Sequence, residues 1–100
     1  RDAALRRMAR AHCPASGIVM DVWSDAPALQ VYTGGALDAS LPAHAGKFGK
    51  VYGPFAGLCL EPQARPDSPN RADWPSVWHA PGSVVTGRIE YRFRSMTAGA

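Results

Sequence analysis

A strict alternation of apolar and charged residues near the end of the chain constrains the fold most strongly. Apolar side chains occupy every second position of this stretch, with charged side chains between them: Ile89, Tyr91 and Phe93 against Arg88, Glu90, Arg92 and Arg94. A two-residue period is the period of an extended strand. The pattern predicts a half-buried strand over residues 88–94 in an antiparallel sheet, with its apolar positions facing the core.

Turn-forming residues divide the rest of the chain into short segments. The cluster Pro14–Gly17 precedes a β-branched run, Ile18–Trp23, and follows a segment that has helical propensity. Because two runs joined by a tight turn favour a hairpin, we expect a strand over residues 6–12 despite that propensity. Another short strand is expected over residues 29–33, ending at Gly34. This spacing of strands and turns is typical of an all-β, antiparallel β-sandwich.

A carboxylate follows a brief apolar run in the second half of the chain. Glu61 comes directly after Gly57–Leu60, at the expected end of a strand. A carboxylate in that position can serve as a general base, although a solvated strand-end carboxylate is the alternative. The next segment, residues 62–75, is rich in proline and predicts an ordered loop, which Asp67 and Asn70 are expected to fix through Asx-type bonds to the backbone.

Composition and charge exclude several classes of protein. The chain is 46% hydrophobic and 19% charged, which supports a packed core. Its formal net charge of +3 comes from scattered residues without a recognition motif, so we expect no nucleic-acid partner. No apolar run could cross a bilayer, so we expect no membrane contact. We expect a cytoplasmic location, with the periplasm as the alternative, because the absence of a secretory signal from this segment does not decide where a longer protein is located. Cys13 and Cys59 lack metal-ligand spacing, which predicts buried free thiols and no metal site.

Three motifs in a fixed order resemble the C-terminal part of the aldose 1-epimerase (galactose mutarotase) family. The motifs are Leu29-Gln30-Val31-Tyr32-Thr33-Gly34, Gly57-Leu58-Cys59-Leu60-Glu61-Pro62-Gln63, and Pro66-Asp67-Ser68-Pro69-Asn70 followed by Trp74-Pro75-Ser76. The resemblance covers nearly the whole chain. It departs from the family at Pro62, where threonine is usual, and at Gly35, where asparagine is usual. Pro62 removes a backbone donor from the segment after Glu61.

The resemblance implies both a fold and a reaction. Residues 1–100 would be the C-terminal part of a single, longer domain, a large antiparallel β-sandwich of the galactose mutarotase type. The implied reaction interconverts the α and β anomers of free aldohexoses, such as galactose or glucose, by ring opening without a metal or organic cofactor. In the family, a glutamate removes the anomeric hydroxyl proton while a histidine protonates the ring oxygen. Glu61 matches that catalytic glutamate, and Gln30 matches a position that contacts the substrate.

The catalytic acid is not matched within this chain. In the family, the histidine that acts as the catalytic acid lies upstream of the segment that this chain resembles. His12, His44 and His79 fall at other positions. We therefore expect these histidines to have surface or hairpin roles, and the 100-residue segment alone to be inactive. Trp74 could stack on a sugar, but packing is the more common role of a large aromatic side chain. A non-catalytic carbohydrate-binding β-sandwich remains the rival hypothesis.

Overall fold

The computed structural model describes residues 4–96 and is built from β-strands. Strands β1 to β5 run over Arg6–Cys13, Ile18–Ser24, Ala28–Tyr32, Cys59–Gln63 and Ile89–Ser95. Single 3-10 turns lie between the later strands, at Pro42–His44, Lys47–Gly49 and Ser68–Asn70. The all-β expectation is confirmed for the described residues. Strand formation over residues 6–12 is also confirmed, so tertiary pairing prevails there over helical propensity. No helix within residues 4–96 is long and apolar enough to cross a membrane.

The chain divides into two compact units. The first comprises the residues up to Leu29 together with those from Pro62 onward, and the second comprises Gln30–Glu61. The first unit contains a three-stranded sheet in the order β1-β2-β5. Strands β3 and β4 pair in a separate two-stranded sheet.

Strand β2 is the centre of the three-stranded sheet and pairs antiparallel with both neighbours. The hairpin between β1 and β2 turns at Gly17, which has a left-handed φ of 73° and donates its N–H to the Cys13 carbonyl at 2.8 Å. A Cβ at Gly17 would lie 2.5 Å from the Met96 carbonyl oxygen, and the Met96 N–H donates to the Gly17 carbonyl at 2.7 Å. Glycine is therefore required where the hairpin meets the end of β5.

Alternation in β5 divides the sheet into two faces, but the apolar side chains of β5 are exposed. Cross-strand partners share a face, and the register pairs Met20 with Phe93 and Val22 with Tyr91. Phe93 is nevertheless 67% exposed and Tyr91 52% exposed. The expectation that the apolar positions of β5 face a core is therefore wrong for the described residues. We call this surface the apolar face; it comprises Ile18, Met20, Val22, Ile89, Tyr91 and Phe93.

Few apolar side chains are fully buried. Within residues 4–96, the buried hydrophobic residues are Val19, Val22 and Ala26, all in or directly after the central strand.

Cys13 and Cys59 are exposed free thiols, which corrects the expectation that they are buried. Cys13 lies at the end of an outer strand, where only β2 flanks it, so little packing is available to cover it.

Charged pairs occupy the opposite face of the sheet. The Arg10 guanidinium donates to both carboxylate oxygens of Asp21, at 2.6 and 3.0 Å. This hydrogen bond lowers the pKa of Asp21 below its ordinary value. Arg92 lies 4.2 Å from the centroid of the Trp23 ring and also donates to Glu90, which lowers the pKa of that carboxyl. These contacts tie all three strands together on this face.

Ser24 joins the end of β2 to the residue before β5. Its side chain is fully buried, and its hydroxyl donates to the Arg88 carbonyl at 2.8 Å while accepting from the Ala26 N–H at 3.0 Å. The neighbouring Asp25 carboxylate accepts from the Arg88 N–H at 3.1 Å. The carbonyl and the N–H of Arg88 therefore both bond to side chains at the end of β2.

We predict that Ser24→Ala destabilises the full-length protein by about 1–3 kcal/mol, because it leaves a partly buried carbonyl and a buried N–H without their partner. Chemical denaturation measures the loss. Ser83→Ala is the matched control, since the exposed Ser83 hydroxyl makes one local bond to the Ala80 carbonyl at 2.7 Å. Equal stability losses in the two variants would contradict this account of Ser24.

Candidate functional site

Gln30 and Glu61 lie on neighbouring strands. Gln30 is the third of the five residues of β3, and Glu61 is the third of the five residues of β4. The two strands are hydrogen-bonded neighbours in the two-stranded sheet, and both side chains are exposed. The structure thus brings an amide and a carboxylate onto one small sheet, and both residues belong to the second unit.

The position of Glu61 differs from the expectation in one respect. Glu61 lies within β4 and not at its end, because the strand continues through Pro62 to Gln63. Proline has no N–H to donate, so it is tolerated only where a strand has an open edge. A two-stranded sheet gives each strand such an edge, which explains how β4 can extend past Glu61.

A glycine-rich turn connects the two loops that leave this sheet. Gly34 is buried, has a φ of 76°, and its carbonyl accepts the N–H groups of Leu37 at 3.1 Å and Phe55 at 3.0 Å. A Cβ at Gly34 would lie 3.0 Å from the Gly57 carbonyl oxygen. The backbone after β3 therefore approaches the backbone before β4 as closely as glycine permits.

The polar atoms of the two side chains are available for a ligand. The Gln30 amide makes one contact with the backbone, donating from Nε2 to the Val31 carbonyl at 3.3 Å. Its oxygen can accept and its second N–H can donate, which matches the hydrogen-bonding capacity of a hydroxyl group. An exposed carboxylate such as that of Glu61 can accept a proton from a bound hydroxyl group. The small sheet thus carries the donor and acceptor groups of an amide and the acceptor oxygens of a carboxylate.

The proline-rich loop in the other unit has a structural role. Asn70 donates its Nδ2 to the Asp67 carboxylate and its N–H to the Asp67 carbonyl, both at 3.0 Å. The two side chains thus bond each other, where Asx-type bonds to the backbone were expected. Trp74 has the guanidinium groups of Arg65 and Arg71 at 5.0 and 4.6 Å from its ring centroid. These cation–π contacts were not predicted from the sequence. Because of them, the Trp74 ring packs against two side chains of the protein.

A cavity of about 330 Å³ has a mainly apolar lining, and neither Gln30 nor Glu61 contributes to it. It lies within the first unit. Its lining residues include Pro27, Trp74, Pro75, Val77, His79 and Val85.

His44 is also held by the backbone, because its Nδ1 accepts the Asp38 N–H at 2.8 Å. That bond places the proton of the neutral imidazole on Nε2.

Among residues 4–96, no group of three or more histidine, cysteine, aspartate or glutamate side chains is placed to hold a metal ion.

Comparison with known proteins assigns the chain to a family. The sequence model described as aldose 1-epimerase matches residues 2–92. The chain belongs to the aldose 1-epimerase family. The resemblance carried by the three sequence motifs is thereby confirmed, and Gln30 and Glu61 both lie within the matched range.

Similar proteins span a wide range of organisms. Galactose mutarotase of Homo sapiens is 45% identical over 85 residues, which cover 85% of this chain and 24% of the human protein. Galactose mutarotase of Rattus norvegicus is 38% identical over 85 residues, which cover 85% of this chain and 24% of the rat protein. Aldose 1-epimerase of Escherichia coli K12 is 36% identical over 76 residues, covering 74% of this chain and 21% of that protein. The chain spans about a quarter of the length of the curated relatives it matches.

Proposed function

We propose that this chain contributes the catalytic base and a substrate-binding group to an aldose 1-epimerase that acts on free aldohexoses such as galactose or glucose. The observation that carries the proposal is the placement of Gln30 and Glu61 at the centres of two paired strands, both exposed. Family membership supports the same reaction class. Galactose mutarotases and aldose 1-epimerases are the relatives that match.

In the proposed reaction, Glu61 removes the proton from the anomeric hydroxyl group of the sugar. The electron pair of that O–H bond forms the aldehyde carbonyl as the bond between C1 and the ring oxygen breaks. The ring oxygen takes a proton from an acid, which the family supplies as a histidine outside this segment. Rotation about the C1–C2 bond presents the other face of the aldehyde. Reclosure with both proton transfers reversed then gives the opposite anomer and restores the two catalytic groups.

Gln30 has a different role in this proposal. Its amide would both donate to and accept from sugar hydroxyl groups, so it orients the ring relative to Glu61 without exchanging a proton. These hydrogen bonds would hold the sugar so that its anomeric hydroxyl lies within reach of the base. The two side chains should therefore affect different kinetic parameters.

We predict that Glu61→Gln lowers kcat of the full-length protein by about 10²–10⁴, the range typical of a lost general base. The substitution keeps the shape of the side chain and an acceptor oxygen, so KM should change little. Polarimetry of freshly dissolved α-galactose or α-glucose, corrected for spontaneous mutarotation, measures both parameters.

Gln30→Ala provides the comparison within the same sheet. Loss of about one hydrogen bond, worth about 1 kcal/mol, should raise KM several-fold while kcat falls less than in Glu61→Gln. Near-parental turnover of Glu61→Gln, with an intact circular dichroism spectrum, would refute the assignment of the base. A parent protein that binds galactose but shows no mutarotase turnover would favour the non-catalytic carbohydrate-binding β-sandwich.

We further propose that residues 1–100 are the C-terminal part of a single, longer aldose 1-epimerase domain. The apolar face supports this, because its exposed aromatic side chains have no cover within residues 4–96. The outer strands β1 and β5 also present unpaired edges in the order β1-β2-β5. Further strands of a β-sandwich would cover the face and pair with the edges.

We predict that a polypeptide restricted to residues 1–100 unfolds without a sharp transition and has no mutarotase activity. Exposed apolar surface and open edges should instead cause aggregation, which light scattering detects. Calorimetry of the isolated polypeptide and of the full-length protein makes the comparison. A cooperative melt with mutarotase activity from residues 1–100 alone would overturn the proposed domain organisation.

A further inference from the structure

Two phenylalanines in the second unit have a backbone conformation that bulky residues rarely adopt. Phe48 has a φ of 58° and Phe55 a φ of 63°, both in the left-handed region. A large side chain at positive φ is strained, and such residues persist where the surrounding structure holds them and often lie at functional sites. Both rings are also exposed, by 96% for Phe48 and by 72% for Phe55.

The two residues differ in what surrounds them. Phe48 lies inside the 3-10 turn Lys47–Gly49. Phe55 donates its N–H to the Gly34 carbonyl at 3.0 Å, and its ring lies against Gly35, where an added Cβ would be 3.3 Å from Cε1. Glycine at position 35 thus leaves room for the Phe55 ring. The contacts with both glycines hold Phe55 at the turn that follows β3.

This turn lies at the end of the sheet that carries Gln30 and Glu61. Gln30 is two residues before the end of β3, and Glu61 is two residues after the start of β4. At a rise of about 3.3 Å per residue, each lies about 7 Å along its strand from that end. Phe55 is bonded to Gly34 just beyond this end of β3, and its exposed ring lies against Gly35 there.

We propose that Phe55 is a substrate-contacting residue that packs its ring against the C–H face of the hexose. This inference rests on the proposed function of the Gln30 and Glu61 sheet. Gln30 and Glu61 offer only polar atoms to the hydroxyl groups, whereas one face of a pyranose presents mainly C–H groups. An aromatic ring buries that face without requiring a hydrogen bond. Phe55 would therefore strengthen ground-state and transition-state binding alike, so that it acts on KM and not on kcat.

The test compares Phe55→Leu with Phe48→Leu in the full-length protein. Leucine removes the ring and, unlike glycine, retains the strained backbone, so the two variants differ only in where the ring was lost. Polarimetry with galactose should show KM raised about three- to tenfold in Phe55→Leu, with kcat within about twofold of the parent. Phe48→Leu should match the parent in both parameters, and Phe55→Tyr should restore KM because it restores the ring.

An unchanged KM in Phe55→Leu, an equal rise in Phe48→Leu, or failure of Phe55→Tyr to restore KM would overturn the inference. Calorimetric titration of the same variants with galactose separates this result from the proposed function. Binding that weakens in Phe55→Leu, in a protein without mutarotase turnover, would refute the reaction but keep the role of Phe55. Absent binding, or binding indifferent to Phe55, would refute the role of Phe55 itself.

Discussion

The hydrogen bond from the buried Ser24 hydroxyl to the Arg88 carbonyl is the contact on which the arrangement of the first unit depends. It joins residues 64 positions apart in sequence. Because Ser24 ends β2 and Arg88 immediately precedes β5, the bond fixes the point at which the chain returns to the sheet. The long excursion between them contains β3 and β4. Closing a loop of that length costs entropy, which the buried hydrogen bonds of Ser24 and the antiparallel pairing of β2 with β5 must offset.

The two faces of the three-stranded sheet have different functions in this account. One face is completed locally, by the Arg10–Asp21 pair and by the Arg92 contact with Trp23. On the apolar face, the aromatic side chains of β5 stay exposed among residues 4–96, and exposed aromatic surface is unfavourable in water. This asymmetry agrees with a chain that spans about a quarter of the length of its curated relatives. The proposal that further strands of a longer domain cover the apolar face rests on this difference between the two faces.

The sequence predicted the strands more reliably than their surroundings. Alternation over residues 88–94 indicates which side chains share a face, but a period of two is the same whether or not anything covers that face, so the exposure of Phe93 could not be read from it. Gln30 and Glu61 were selected through the resemblance, and their roles stay predictions. The bond between Gly34 and Phe55 joins two loops, and no local pattern specifies such a contact. Neither could the strained φ of Phe55 be predicted, since propensity disfavours it.

A crystal structure of full-length Glu61→Gln with bound galactose tests the central claim most directly. The substitution slows turnover while preserving the shape of the site, so that the sugar can be trapped. The account predicts that the side chain at position 61 lies within about 2.6–3.2 Å of the anomeric hydroxyl, with the Gln30 amide bonded to another hydroxyl of the same sugar. Galactose bound away from the sheet of β3 and β4, with neither side chain in contact, would contradict it.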